Sequence, residues 1–403
     1  MSAPLTDAPP LTDFLPRPDH ARQTNKQTPI AAARVLHLVN GQHYAGAARV
    51  QDLLAQRLPE HGYEVAFATL LPGRFAAQRK AITAPVYEVP MQGRLDVRPV
   101  RALVRLIHEE RFDIVHSHTT RSALIGTLAA QQAGVPHVHH VHCQMDTEVG
   151  HRLRCLVNRT IEKRACRRAD AVIAVSDSIA RFLQQHRFTR RAVDVVPNGV
   201  PSVAARPARC PQDPWVIGLV ALLRARKGLE TLLMALPQMA ASHPVRLRVV
   251  GPFESDGYRN RMYDLSDSLG VSHLIDWTGY TDDVAAELRR MDALVLPSVL
   301  PEGMPMVLLE AMAAGVPVLG SRVDGITDVI DHQRNGLLFT AGDHAALAGQ
   351  VQRLMNADSL WRQLQAQGRT DYQQRYSDTV MAGRVADVYG RLLRSRREGH
   401  AHD

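Results

Sequence analysis

The stretch PEGMPMVLLEAMAAGVPVLG, residues 301–320, sets two carboxylates, Glu302 and Glu310, eight positions apart in a run that is otherwise apolar, small or turn-forming. Glu302 stands with Gly303 and Pro305 in a loop-like segment, whereas Glu310 stands among Val307, Leu308, Ala311 and Met312 in what reads as a buried helix. A carboxylate buried without a partner costs on the order of several kcal/mol. Glu310 therefore calls for hydrogen-bond donors, and the vicinal hydroxyls of a ribose would supply two at once. Glu302 could accept in the same way from a second polyol. Between them, Gly303 lets the backbone approach a ligand closely, and Pro305 suits the first position of a helix. The free N–H groups of residues 304–307, with the helix dipole, favour an anion such as a diphosphate. A phosphate between two polyols is the outline of a nucleotide sugar. The plainer reading is a solvated Glu302 and a Glu310 at the edge of an amphipathic helix, and spacing alone leaves both open.

The second chemical cluster is a set of histidines: His116 and His118, then His137, His139, His140 and His142. Alternation along a strand puts His140 and His142 on one face. Imidazoles on neighbouring strands can chelate a metal, but no carboxylate or cysteine stands at metal spacing beside them, so the expectation is no metal. His142 is instead a candidate catalytic or acceptor-binding residue, and the others are expected to pack.

Charge separates the chain into two parts. Residues 34–200 carry 23 Lys/Arg against 14 Asp/Glu, a net of +9, and residues 201–403 carry 22 against 23, a net of −1. The basic part is the one to meet a phosphate or an anionic surface. Its most basic stretch, HRLRCLVNRTIEKRACRRAD, holds seven Lys/Arg and one Glu. With Leu153, Leu156, Val157, Ile161 and Ala165 it forms an amphipathic pattern. Residues 151–168 would thus attach to an anionic membrane face or form an ordinary solvated helix face. Nucleic acid is not expected, because aromatics are not interleaved with the basic residues. The four cysteines, Cys143, Cys155, Cys166 and Cys210, form no CxxC pair, which reads as reduced thiols. Residues 1–33 read as a disordered tail, and no apolar run reaches bilayer-spanning length. The expectation is a cytoplasmic protein, peripheral at most on the inner membrane face.

These groups need elements to hold them. ARVLHLVN runs into a Gly-containing turn, then a helix pattern, then YEVAFATLL, which is the unit of a parallel α/β sheet. DIVHSH, PHVHHVHC, ADAVIAVS and AVDVVPNG continue the first set of strands. WVIGLVALL, VRLRVVG, LIDWTGY, DALVLPS and VPVLGS make a second set, after the Pro- and Ala-rich linker PSVAARPARCPQDP. The expected organisation is a tail over 1–33, a Rossmann-like domain over 34–205 and a second Rossmann-like domain over 206–378. A helix over 379–403 follows. In open α/β sheets ligands bind beyond the carboxyl ends of strands, where Glu302 lies.

EGMPMVLLEAMAAGVPVLG closely resembles the signature of the family 4 retaining glycosyltransferases. RVLHLVN, DIVHSH, VPHVHHVH, ADAVIAVS, VVPNGV, RKGLETLL, GYTDDV and NGLLF follow in that family's order. The resemblance implies the GT-B fold, with two Rossmann-like domains facing across a cleft and the terminal helix packing back on the first. It implies a nucleotide-sugar donor, UDP- or GDP-linked, on the second domain. Glu310 would hold ribose hydroxyls and Glu302 those of the transferred sugar. Gly303, Met304, Pro305, Met306 and Val307 would face sugar and diphosphate, Lys227 the diphosphate, and Gly279 and Tyr280 the base. Gly46 would face the donor phosphates, and His142 matches a histidine near the reacting sugar. The catalytic set implied is His142, Lys227 and Glu302. Where the family usually has an arginine before this lysine the chain has Leu222, with Arg224 and Arg226 nearby; Ala48, Cys143 and Pro201 are further departures. The implied reaction is a retaining, metal-independent transfer without a cofactor, to a lipid-linked or saccharide acceptor. It belongs to cell-surface polysaccharide or lipopolysaccharide synthesis. A nucleotide-sugar 2-epimerase and a nucleotide-sugar-binding subunit that has lost activity are the alternatives.

Overall fold

A computed structural model describes residues 33–42, 44, 46–93, 96–144, 152–206 and 213–400. The tail (apart from Ala33), Cys210 and most of the Pro-rich part of the linker lie outside these residues. Ala33, the first residue of the run ARVLHLVN, opens the first strand and so belongs to the sheet and not to the tail.

The first sheet is built from β1 (Ala33–Val39), β2 (Tyr63–Thr69), β3 (Val86–Glu88), β4 (Ile114–Ser117), β5 (His137–Val141), β6 (Ala171–Ala174) and β7 (Val193–Val195). Its strand order is β3-β2-β1-β4-β5-β6-β7. The second contains β8 (Trp215–Val220), β9 (Val245–Val250), β10 (Ile275–Gly279), β11 (Ala293–Leu296), β12 (Val318–Ser321) and β13 (Leu337–Phe339), in the order β10-β9-β8-β11-β12-β13. Every pairing is parallel. The three-residue strands β3 and β13 were not among the expected strands.

In the first half the helices are α1 (Ala47–Arg57), α2 (Phe75–Gln78), α3 (Pro99–Glu109), α4 (Thr120–Ala133), α5 (Arg152–Arg168) and α6 (Asp177–Gln185). In the second they are α7 (Leu229–Ala240), α8 (Asp256–Ser268), α9 (Val284–Arg289), α10 (Met306–Ala313), α11 (His344–Met355), α12 (Asp358–Asp371) and α13 (Asp378–His400). Strand alternation sends residues to both faces. Val35 and Val39 of β1 join a core with Val50, Leu54 and Tyr389, while Leu36 and Leu38 join another with Leu103, Ile107 and Ile125. Helices thus cover both faces of the sheet, as an all-parallel sheet requires.

The chain passes between the halves twice, and the two passages are hydrogen-bonded to each other. Val200 N–H donates to Tyr376 C=O at 2.9 Å and Asp378 N–H to Val200 C=O at 3.1 Å. From there α13 runs back onto the first half, where Arg57 Nε donates to Asp378 Oδ2 at 2.9 Å.

Candidate active site

Strand β11 ends at Leu296, and the loop beyond it carries Ser298 and Glu302 before α10 begins at Met306. Pro305 is the residue before the helix, not its first residue: its ψ of 108° is extended. Glu302 is mostly buried and not solvated. Its Oε1 accepts from Lys227 Nζ at 2.8 Å and from Ser298 Oγ at 2.7 Å. Local backbone geometry puts Lys227 there. Its turn, Ala225–Lys227, closes on Gly228 at φ 70°, and a Cβ on Gly228 would lie 2.0 Å from the Pro297 carbonyl oxygen. Only glycine allows the lysine turn to lie against the end of β11.

The two arginines near Leu222 part company. The Arg226 guanidinium donates to the Pro301 carbonyl, beside Glu302. Arg224 pairs with Glu254 at 3.5 Å, and Leu222 is exposed. Arg226 is therefore the arginine brought to the Glu302 loop.

Glu310, in the second turn of α10, does have a charged partner, and it comes from the other half of the chain. Arg49 Nη2, in the first turn of α1, donates to Glu310 Oε1 at 2.5 Å. Burial alone would loosen the guanidinium's proton, but the Glu310 carboxylate more than reverses that, so Arg49 stays charged. Sequence reasoning did not find Arg49; its only local signal is a basic residue one turn after a glycine. Gly46 itself stands before α1 at φ 48° with open space where a Cβ would be.

Gly303 is one of the places where the halves touch. A Cβ there would lie 1.7 Å from the His142 carbonyl oxygen. Met304 and Met306 are buried beneath the loop, and Met304 C=O accepts from Asn198 Nδ2 at 3.2 Å. Val307 is partly buried. At a second crossing point Gln144 Nε2 donates to Asp324 Oδ2 at 3.0 Å. Gly279 and Tyr280 stand apart from this group, at the end of the edge strand β10. Tyr280 is 65% exposed, and its hydroxyl donates to Asp282.

His142 lies one residue past β5, its Nε2 3.0 Å from His118 Nδ1. Burial pushes it down to about 3, so the ring is neutral at physiological pH. The other histidines of the two strands are buried too. On one face His116 Nδ1 lies 2.5 Å from the Tyr389 hydroxyl. On the other, Ser117 Oγ sits between His137 Nε2 (2.8 Å) and His139 Nδ1 (2.9 Å), and His139 Nε2 meets Glu162 Oε1 at 2.8 Å. The fold corrects one sequence expectation here. A carboxylate and a thiol, Glu162 and Cys166, do stand within ligand reach of His139, because one turn of α5 carries both against β5. This Ser–His–Glu relay is fully buried and offers a substrate no access.

Helix α5 turns only part of its apolar pattern inward. Ala165 is buried, whereas Leu156 is 60% and Val157 39% exposed. The side chain of Leu153 lies outside the described residues. Among the described residues no helix is long and apolar enough to cross a membrane.

Residues 205–371 match the model described as glycosyl transferases group 1, and residues 44–202 match that of glycosyltransferase family 4. A phosphatidyl-myo-inositol mannosyltransferase of Mycobacterium leprae is 32% identical over 289 residues, covering 69% of this chain and 73% of that protein. A D-inositol 3-phosphate glycosyltransferase of Stackebrandtia nassauensis is 28% identical over 311 residues, covering 71% of this chain and 69% of that protein. The crystal structure of Anabaena Alr3699/HepE in complex with UDP and glucose has the same fold, with a TM-score of 0.74 at 20% identity over 89% of this chain and 99% of that one. With both parallel sheets and both family matches in place, the chain belongs to the family 4 glycosyltransferases and is a glycosyltransferase of GT-B architecture.

Proposed function

We propose that the enzyme transfers a sugar, with retention of anomeric configuration, from a UDP- or GDP-linked donor to a lipid-linked or saccharide acceptor of cell-surface polysaccharide or lipopolysaccharide synthesis. The observation that carries this reading is the arrangement around α10. Glu302 with Lys227 stands at its mouth, free backbone N–H groups lie at its N-terminus, and Glu310 sits one turn deeper. A nucleotide sugar fits that order, with the ribose diol on Glu310, the diphosphate at the helix N-terminus and Lys227, and the sugar hydroxyls on Glu302. Arg49 pairs with Glu310 across the cleft. A ribose taking that seat releases a guanidinium close to where the diphosphate would lie.

Breaking the sugar–phosphate bond leaves an oxocarbenium-like sugar and a dianionic leaving group. Lys227, Arg226 and the N-terminus of α10 are fixed cationic and dipolar groups aimed at that developing charge. Among the described residues, Glu302 at the sugar is engaged by Lys227 and Ser298, so the acceptor hydroxyl attacks from the face the phosphate leaves, and the phosphate takes its proton. Neutral His142, beside the Gly303 loop, is placed to orient hydroxyls of the reacting sugar. Gly279 and Tyr280 border the base. Contacts across the cleft imply closure that excludes water.

Two further features bear on the acceptor. Leu156 and Val157 project to solvent from a helix with seven basic residues in its neighbourhood, which suits docking to an anionic membrane surface. The M. leprae relative is named for a lipid acceptor. We place the enzyme at the cytoplasmic membrane face on that basis. A panel of nucleotide sugars scored by thermal shift, followed by transfer to membrane lipid extracts, tests the reading. Product formed with one donor supports it. Tight nucleotide binding without turnover, not restored by Leu222→Arg, would point to a binding subunit.

A further inference from the structure

His118, His140 and His142 meet at the cleft end of the first sheet. Parallel register places them there: Ser117 of β4 is opposite His139 of β5, so His118 follows opposite His140, and His142 lies two residues on along the same face. One ring nitrogen from each of the three lies within 4.8 Å of the other two. Their ring centroids are 5.2 Å (His118–His140), 5.3 Å (His118–His142) and 4.5 Å (His140–His142) apart. Imidazoles bound to a tetrahedral ion at nitrogen–metal distances of about 2.0–2.1 Å have ring centres about 5 Å apart. His118 and His140 are buried and His142 is half-buried.

These rings are also short of partners. His118 Nε2, His142 Nδ1 and both nitrogens of His140 are buried with no hydrogen-bond partner. A buried polar atom without a partner is rare and calls for an explanation, of which an ion is one. Behind them His116 and His37 pack ring against ring and meet the Tyr389 hydroxyl, so the back of the cluster is fixed.

We propose that His118, His140 and His142 form a binding site for a divalent transition-metal cation, Zn²⁺ or an ion of like preference, with its fourth position open to the cleft. Three imidazoles without an oxygen ligand suit zinc, cobalt or nickel and not magnesium or calcium. The ion ties the carboxyl ends of β4 and β5 together directly beneath the His142 carbonyl that abuts Gly303. It stands on the half of the chain opposite Lys227 and Glu302, and the inference does not depend on the donor assignment.

Chelator-stripped full-length protein titrated with Co²⁺ tests it. The expected result is one equivalent bound, the intense visible d–d absorption of tetrahedral cobalt, and its loss on adding Zn²⁺. His140→Ala should weaken cobalt binding on the order of a hundredfold or more. If that variant does not fold, His140→Gln, which keeps a polar side chain of similar reach, carries the same measurement. Cys166→Ala should leave binding unchanged. The proposal is overturned by no stoichiometric uptake or by uptake that survives both His140 variants, as terminal histidines would give. It is equally overturned by a thiolate-to-cobalt charge-transfer band, which would put the ion at His139, Glu162 and Cys166.

Discussion

Glu310 meets Arg49 through a single charge-assisted hydrogen bond across the cleft, and that pair sets what a change at either residue should do. Glu310→Ala removes the proposed ribose acceptor. Loss of a hydrogen bond to a charged group is worth about 2–3 kcal/mol, so UDP or GDP affinity should fall about 30- to 150-fold by titration calorimetry. An unchanged affinity would remove the ribose assignment. Arg49→Ala acts in the opposite direction on the bare nucleoside, because the seat is no longer occupied. Arg49 is partly exposed, so the bridge is worth about 1 kcal/mol at most, and nucleoside affinity should rise up to about fivefold. The sequence made Glu302 and Glu310 legible because both lie in one short motif. It could not show their partners: Lys227 is 75 positions from Glu302 and Arg49 is 261 from Glu310. A different residue-scale consequence attaches to His137, which burial pushes down to about 3. Its folded value lies below its unfolded one, near 6.5, so the unfolded chain takes up the proton first. Stability should therefore fall as pH drops below about 6.5, with this residue contributing a slope of up to about 1.4 kcal/mol per pH unit. His137→Gln should make the urea midpoint less dependent on pH between 6.5 and 3 if the remaining histidines keep their environment.

Several helices carry local chemistry at their ends. Helix α4 begins with a reciprocal cap between Thr119 and Ser122 and ends on Gly134 at φ 67°, both short-range signals. Likewise α6 and α8 open on Ser176 and Ser255, whose hydroxyls accept from the helix backbone. The three-residue edge strands β3 and β13 escaped, whereas β7, equally short and also at an edge, lies within the expected run AVDVVPNG. Helices α11 and α12 escaped as well, although Asp343 caps the first of them. The contact of one loop with another was equally invisible, and Gly303 is the instance that matters. Its Cβ would run into a backbone carbonyl, which has no rotamer to retreat to. Gly303→Ala should force the α10 loop and the end of β5 apart, at a cost of about 1–3 kcal/mol by urea denaturation. Nucleotide affinity should fall along with it, since the loop carries Glu302. A variant that kept both values would mean that the halves do not close as tightly in solution.

At the scale of the whole molecule the sequence showed two sets of alternating elements and a final helix, but not how the last helix is held. The fold answers through one side chain. Tyr389 of α13 is fully buried in the first half. Its hydroxyl lies 2.5 Å from His116 Nδ1 and 3.2 Å from His37 Nε2, and its ring packs edge-on against Tyr63 at 5.1 Å. The polar tip therefore partners one ring nitrogen of each imidazole, while the ring fills the apolar face. Tyr389→Phe keeps the ring and deletes the tip, leaving two buried nitrogens without their partner. The penalty for stranding a buried polar group is about 1–3 kcal/mol. Tyr63→Phe should cost much less, since the Tyr63 hydroxyl makes one long contact, 3.4 Å to the Ala386 carbonyl. Guanidinium unfolding of the two variants side by side separates the two modes of anchoring. A large loss for Tyr389→Phe alone means that the histidine cluster itself holds α13. Equal small losses would mean that apolar packing by Val385, Val388 and the Tyr389 ring suffices. The polar outcome is expected, because an unpaired imidazole costs more in this setting than the hydroxyl's own burial saves.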